Sequence, residues 1–236
     1  MKDMKALSVA LVALAALWSA APAEAQKPTP PVVPIPQPGV PQVMTLEGKF
    51  VRAAYNNEGY VILGYQPANR SVGEEWMLLE VGLTLRDGVK NYELTRAALS
   101  IETPDGKTLP LPSIPEFREA STQALQNRAK IQRDSINYFP PSATQACRLG
   151  FFSDLEDRAM PWDQVELSSN RACLGRLYFK VPGGIKYGQH WLNVKFRDSV
   201  VRAPFRILTQ DEEKLLQKNF KAISEQVKEA FTPKKK

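Results

Sequence analysis

The sequence predicts a mainly β protein, an antiparallel β-sandwich with a helical insertion and a C-terminal amphipathic helix. Three observations carry that expectation. Apolar and polar residues alternate with a period of two in five separate segments. Turn-forming stretches, Asn56-Asn57-Glu58-Gly59 and Thr103-Pro104-Asp105-Gly106-Lys107, lie between extended segments. No regular alternation of strand and helix patterns, the mark of a parallel sheet, runs through the chain. The 236 residues are 43% hydrophobic and 24% charged, a globular composition that excludes a disordered chain and a multi-span membrane protein.

Lys2 and Lys5 precede an Ala-, Leu- and Val-rich run from Ala6 to Trp18, and Ala23-Glu24-Ala25 follows as an A-x-A cleavage site. Residues 1–25 are therefore expected to be a cleaved secretory signal. An uncleaved anchor is the alternative, disfavoured because Ser8 and Ser19 interrupt a run already short for a bilayer of roughly 30 Å. Residues 26–45 form a Pro-rich linker, in which Pro28, Pro30, Pro31, Pro34, Pro36, Pro38 and Pro41 favour a polyproline II spacer.

The body is expected over residues 46–208. Phe50 to Tyr55 and Tyr60 to Tyr65 flank the first turn as a hairpin. From Glu75 to Arg86 the odd positions Met77, Leu79, Val81, Leu83 and Leu85 are all apolar, which predicts a strand with one buried face. Ala97, Leu99, Ile101 and Thr103 repeat the pattern and lead through the D-G turn into Thr108 to Leu111. The segment 113–134 breaks the rhythm. Ser113-Ile114-Pro115-Glu116 has capping-box spacing, and Phe117, Ala120, Ala124, Leu125 and Ile131 follow one helical face, with Arg118, Arg128, Lys130 and Arg133 exposed. Alternation resumes at Leu177, Phe179 and Val181, at Leu192, Val194 and Phe196, and at Val201, Ala203, Phe205 and Ile207. Finally, residues 209–236 read as a helix and basic tail. Thr209 and Glu212 form a capping box, Leu216, Phe220, Ile223, Val227 and Phe231 form an apolar stripe, and Lys234 to Lys236 follow.

Three stretches together resemble secreted bacterial immunoglobulin-like domains of unknown function: Glu75 to Leu85, Leu99 to Gly106, and Gly175-Arg176-Leu177-Tyr178-Phe179-Lys180-Val181-Pro182. The resemblance covers about residues 46–208. It implies an immunoglobulin-like sandwich with an extracytoplasmic binding or structural role, and it brings no catalytic residues.

One histidine, His190, and two cysteines exclude zinc fingers, His-rich metal clusters and cysteine-dense scaffolds. In an exported chain Cys147 and Cys173 are expected to form a disulfide, because no C-x-x-C spacing marks a reactive or metal-binding thiol. His190 is expected at the surface or at a strand end, since neither H-E-x-x-H, G-x-S-x-G nor S-x-x-K occurs. Asp154, Glu156, Asp157 and Asp163 read as a solvated acidic loop, their spacing not being that of an EF-hand. No catalytic residue, cofactor or metal is expected. The net charge of +6 and pI near 9.3 raise nucleic acid as a partner, but the charge is dispersed, no binding motif appears and export separates the chain from it.

The most specific candidate is a basic face. If Arg197-Asp198-Ser199-Val200 is a tight turn, Trp191, Lys195, Arg197, Arg202 and Arg206 share the face opposite the core, with Trp191 across from Arg206 and Lys195 across from Arg202. That face, with the basic insertion, is expected to bind an acidic protein or an anionic envelope polymer. The expected function is thus a non-catalytic extracytoplasmic binding or structural module, periplasmic or secreted, with no membrane span after signal cleavage. Two alternatives stand beside it: an enzyme acting on envelope carbohydrate, and an assembly subunit docking through its C-terminal helix.

Overall fold

The computed structural model describes residues 43–132, 135–153 and 160–231. The expected signal, nearly all of the Pro-rich linker, Arg133, the acidic residues Asp154, Glu156 and Asp157, and the terminal lysines lie outside the described residues.

The chain opens with β1 (Val43–Gly48), β2 (Val51–Tyr55) and β3 (Gly59–Gly64), then a short helix α1 (Gln66–Asn69) and the long β4 (Trp76–Leu85). Next come β5 (Tyr92–Thr95), β6 (Leu99–Glu102), β7 (Thr108–Pro110), α2 (Ile114–Glu119) and α3 (Gln123–Ile131). The rest is β8 (Gln145–Arg148), β9 (Gln164–Leu167), β10 (Arg171–Lys180), β11 (Gly188–Lys195), β12 (Val200–Ile207) and α4 (Gln210–Phe231). A six-stranded sheet runs in the order β1-β2-β3-β4-β10-β8, a four-stranded sheet β12-β11-β6-β7, and β5 pairs only with β9.

The two larger sheets form the expected sandwich. Val61, Leu63, Val81, Leu83, Leu177 and Phe179 of one sheet share a single apolar core with Leu99, Ile101, Leu192, Val194, Ala203 and Phe205 of the other. Local chemistry closes both hairpins that the sequence indicates. The Asn56 side-chain oxygen accepts from the backbone N–H of Glu58 at 2.8 Å and of Gly59 at 3.1 Å, joining β2 to β3. Between β6 and β7 Gly106 takes a left-handed conformation, with φ of +78°, inside the Thr103–Lys107 turn.

Four expectations are corrected. First, β4 is buried on both faces: Leu78, Glu80 and Thr84 are as covered as Met77, Leu79 and Leu83. The insertion and the stretch that follows it, from Ser135 to Phe139, fold back across the outer face of the six-stranded sheet. A Cβ at Gly82 would stand 2.6 Å from the Phe139 ring and one at Gly64 would stand 2.8 Å from Ile136, so these glycines hold the space those side chains fill. Beside them Phe117 packs on Phe152 and Tyr178, with ring centroids at 4.6 and 4.7 Å. Glu80 and Arg176, paired across β4 and β10, are sealed beneath this cover with 3.7 Å between their charged atoms.

Second, the insertion is two helices rather than one face. Ser113 caps α2 by accepting from the Glu116 N–H at 3.3 Å, as its spacing implies, but Ala120 is extended (φ −81°, ψ 138°) and ends the helix. The break resets the helical phase. Leu125 and Ala129 face inward on α3, whereas Ala124 is exposed and Ile131 is 86% exposed. Third, Ala97 is exposed in a 3-10 turn, and the strand begins only at Leu99. Fourth, the sheets are not wholly antiparallel: β8 runs parallel to β10, with Cys147 directly opposite Cys173. These two cysteines form the expected disulfide.

At the C-terminus the capping box forms. Glu212 accepts from the Thr209 N–H at 2.9 Å, and Thr209 Oγ1 accepts from the Glu212 N–H at 3.3 Å. Leu216, Ile223 and Val227 are buried and α4 lies against β1, with Ser224 donating to the Leu46 carbonyl at 3.3 Å. Glu213 ties the first turn to Arg70 at 2.7 Å and Lys49 at 2.8 Å. These three residues of the apolar stripe are therefore covered by the domain itself, and Phe220 packs beside them, partly buried. Among the described residues no helix is long and apolar enough to cross a membrane.

The disulfide fastens the short edge strand β8 to β10 across a sequence separation of 26. Replacing both cysteines by serine is expected to lower unfolding free energy by roughly 3 to 4 kcal/mol in urea titration, as loop-closure entropy predicts. A loss under about 1 kcal/mol would mean that the strand ladder alone holds β8.

Candidate functional site

Strand alternation places Trp191, Lys195, Arg202 and Arg206 on the outer face of the four-stranded sheet, because His190, Leu192 and Val194 of β11 and Val201, Ala203 and Phe205 of β12 point inward. The cross-strand partners differ from expectation. Trp191 lies opposite Pro204, Asn193 opposite Arg202, Lys195 opposite Val200 and Gln189 opposite Arg206. The connection is accordingly Phe196 to Ser199 rather than Arg197 to Val200.

The cause is a carboxylate that sequence reasoning did not single out. Glu58, buried in the β2–β3 turn, accepts from the Asp198 N–H at 3.1 Å and from the Ser199 hydroxyl at 2.6 Å. Tyr92 at the start of β5 donates to the same carboxylate at 3.0 Å. Phe196 points into the core, continuing the alternation of Leu192 and Val194, and its ring covers Gly59, where a Cβ would clash with it. Three segments thus meet on one side chain. The sequence signal that could have marked it is an acidic residue followed by glycine in a tight turn, a pattern too common to stand out.

This register divides the basic face. Arg202 stacks over Trp191 at 4.6 Å, in place of the expected Arg206, and pairs with Glu102 at 2.6 Å. Arg206 reaches Glu212 at 2.7 Å. Lys195 and Arg202 do not lie across from one another as the sequence indicates. Lys195 and Arg197 are exposed and form no ion pair among the described residues. The Arg197 guanidinium stands 4.1 Å over the Tyr92 ring, and its backbone N–H donates to the Tyr92 oxygen at 3.2 Å. Burial pushes the Tyr92 phenol above its ordinary range, so it stays protonated and keeps its bond to Glu58.

Lys195 and Arg197 border an open groove of about 340 Å³ whose other wall is β5, from Tyr92 to Thr95. One edge of β5 pairs with β9; no strand pairs with its other edge among the described residues. The groove therefore offers two cations, Lys195 and Arg197, against one carboxylate, Glu93, together with an aromatic ring and a short strand that keeps one edge unpaired among the described residues.

The remaining candidates do not join it. The insertion lies on the outer side of the six-stranded sheet, with the sandwich between it and the basic face. Arg128 is engaged there with Glu74 at 2.7 Å and Ser71 at 2.6 Å, while Arg118 is exposed. His190 is not at the surface: it is wholly buried, stacked on Phe205, with Nδ1 against the Gly188 carbonyl at 3.1 Å. No cluster of three or more His, Cys, Asp or Glu is placed to hold a metal ion among the described residues. Comparison of the chain with protein-family models, curated proteins and solved structures finds no match to any of them, so function rests on the geometry alone.

Two expectations follow for stability. Glu58→Ala strands the Asp198 N–H and two hydroxyls, and a loss of about 2 to 4 kcal/mol is expected in urea titration, with Glu58→Gln intermediate. His190 is held down to about 4 by burial, which the Gly188 carbonyl and Asp105 only partly oppose. Its folded value lies below the unfolded 6.5, so between pH 6.5 and 4 the unfolded chain holds a proton that the folded chain does not. Stability contributed by this group is full above pH 6.5 and falls by about 3 kcal/mol on going down to pH 4. Comparing the pH dependence of unfolding with that of His190→Gln, which lacks the titration, measures this difference.

Proposed function

We propose that the protein is a non-catalytic binding module of an extracytoplasmic compartment, and that the groove between β5 and Lys195–Arg197 takes an acidic, extended segment of a partner protein. The observation that carries this reading is a pair of exposed cations, with no ion pair among the described residues, beside a strand that has one edge without a ladder partner among those residues. An extended peptide can add to such an edge through its main chain while its carboxylates meet the cations. An anionic envelope polymer would use the same cations but has no use for a strand edge, which favours the peptide. The Cys147–Cys173 disulfide supports an oxidising compartment, as the N-terminal leader pattern does.

The test is a fluorescence titration with a labelled peptide of alternating Asp and Val, beside the same peptide N-methylated on alternate backbone nitrogens and polygalacturonate as an anionic polymer. The plain peptide is expected to bind with an affinity that falls as salt rises. Lys195→Glu with Arg197→Glu should weaken it by about tenfold or more, and Arg202→Ser, whose charge is already met by Glu102, should change it by less than about twofold. N-methylation should weaken it as well. Equal binding by the charge-reversed protein would overturn the site, and preference for polygalacturonate would overturn the partner class.

A further inference from the structure

A second concavity lies at the opposite end of β11, six residues and roughly 20 Å from the groove. It is a cleft of about 50 Å³ between the Thr103–Lys107 turn and the β10–β11 connection. Pro104, Leu109, Val181 and Pro182 give it apolar walls, and the fully buried His190 lines it. Lys107 and Lys186, whose side chains are 69% and 58% exposed, stand at its mouth and share one carboxylate, Asp105, at 3.1 and 3.5 Å. Two cations against one anion leave the mouth net positive.

The orientation of the imidazole follows from its neighbour. A carbonyl can only accept, so the contact with the Gly188 oxygen puts the proton on Nδ1 and leaves Nε2 as an acceptor. That nitrogen is buried and has no hydrogen-bond partner among the described residues. An unmet acceptor in an apolar recess is costly unless a donor reaches it. Room for only a few heavy atoms excludes a polymer or a peptide side.

We infer that this cleft binds a small hydroxylated carboxylate, whose hydroxyl donates to His190 Nε2 while its carboxylate sits at Lys107 and Lys186. The bound anion takes over the exposed lysines from Asp105, and exposed pairs of that kind give up little when exchanged. The proposal does not depend on the β5 groove and stands or falls separately from it.

The lone histidine is its own reporter, because every imidazole resonance of the protein belongs to His190. The experiment is a two-dimensional nitrogen–proton NMR titration of the ¹⁵N-labelled protein, in a buffer without hydroxyl groups. The ligands are lactate, 3-hydroxybutyrate, their deoxy counterparts propionate and butyrate, and the neutral lactamide. The expected result is a saturable shift of the Nε2 resonance by a hydroxy acid, with Kd on the order of 1 mM for a ligand of about six heavy atoms. The deoxy acids and lactamide should bind at least about fivefold more weakly. Lys107→Glu with Lys186→Glu, both surface changes, should abolish the shift, as should Leu109→Phe, which fills the cleft. No shift with any ligand, equal shifts with hydroxy and deoxy acids, or a shift that survives the charge reversal would each overturn the proposal.

Discussion

The arrangement around the groove depends on one buried carboxylate. Among the described residues Glu58 pairs with no lysine or arginine; its charge is met by a backbone N–H and two hydroxyls drawn from the β11–β12 connection and from β5. A carboxylate removed from water must have such donors, and here all of them come from segments more than thirty residues away. The same bonds that satisfy the charge therefore set the length of the β11–β12 turn, the cross-strand partners of Arg202 and Arg206, and the position of Tyr92 beneath Arg197. Once Arg202 meets Glu102 and Arg206 meets Glu212, only Lys195 and Arg197 of the expected basic face remain for a partner.

The second determinant is coverage of the six-stranded sheet. A sandwich needs only one apolar face per sheet, yet β4 is sealed on both sides. Glycines at positions 64 and 82 leave recesses on the outer face that Ile136 and Phe139 fill, and the aromatic group around Phe117 extends that cover toward α2. The insertion thus belongs to the core of the molecule, and its cation Arg128 is spent on Glu74 and Ser71.

Much of this was legible from residue order, for identifiable reasons. Period-two alternation marks β4, β10, β11 and β12 because each has a run of inner-face apolar residues, broken in β11 only by His190 near its start, and the capping boxes at Ser113 and Thr209 depend only on neighbours three positions away. The disulfide followed from export and from the absence of any competing thiol role. What escaped depends on contacts distant in sequence. The short strands β5, β8 and β9 have four residues each, too few to show a period. The two-sided burial of β4 was hidden because Gly82 and Glu80 look polar in sequence. Likewise the β11–β12 register is chosen by Glu58, and His190 is buried through a stack on Phe205, neither of which any local pattern announces.

The central claim, that the unpaired edge of β5 with Lys195 and Arg197 forms the binding surface, is tested most directly by hydrogen–deuterium exchange with and without an acidic extended peptide. Backbone amides of an unpaired edge exchange freely until a strand is added to it. The account predicts that the peptide slows exchange in residues 91–98 and 195–199 and leaves residues 114–131 unchanged. Protection confined to the insertion, or no protection in β5 at saturating peptide, would contradict it.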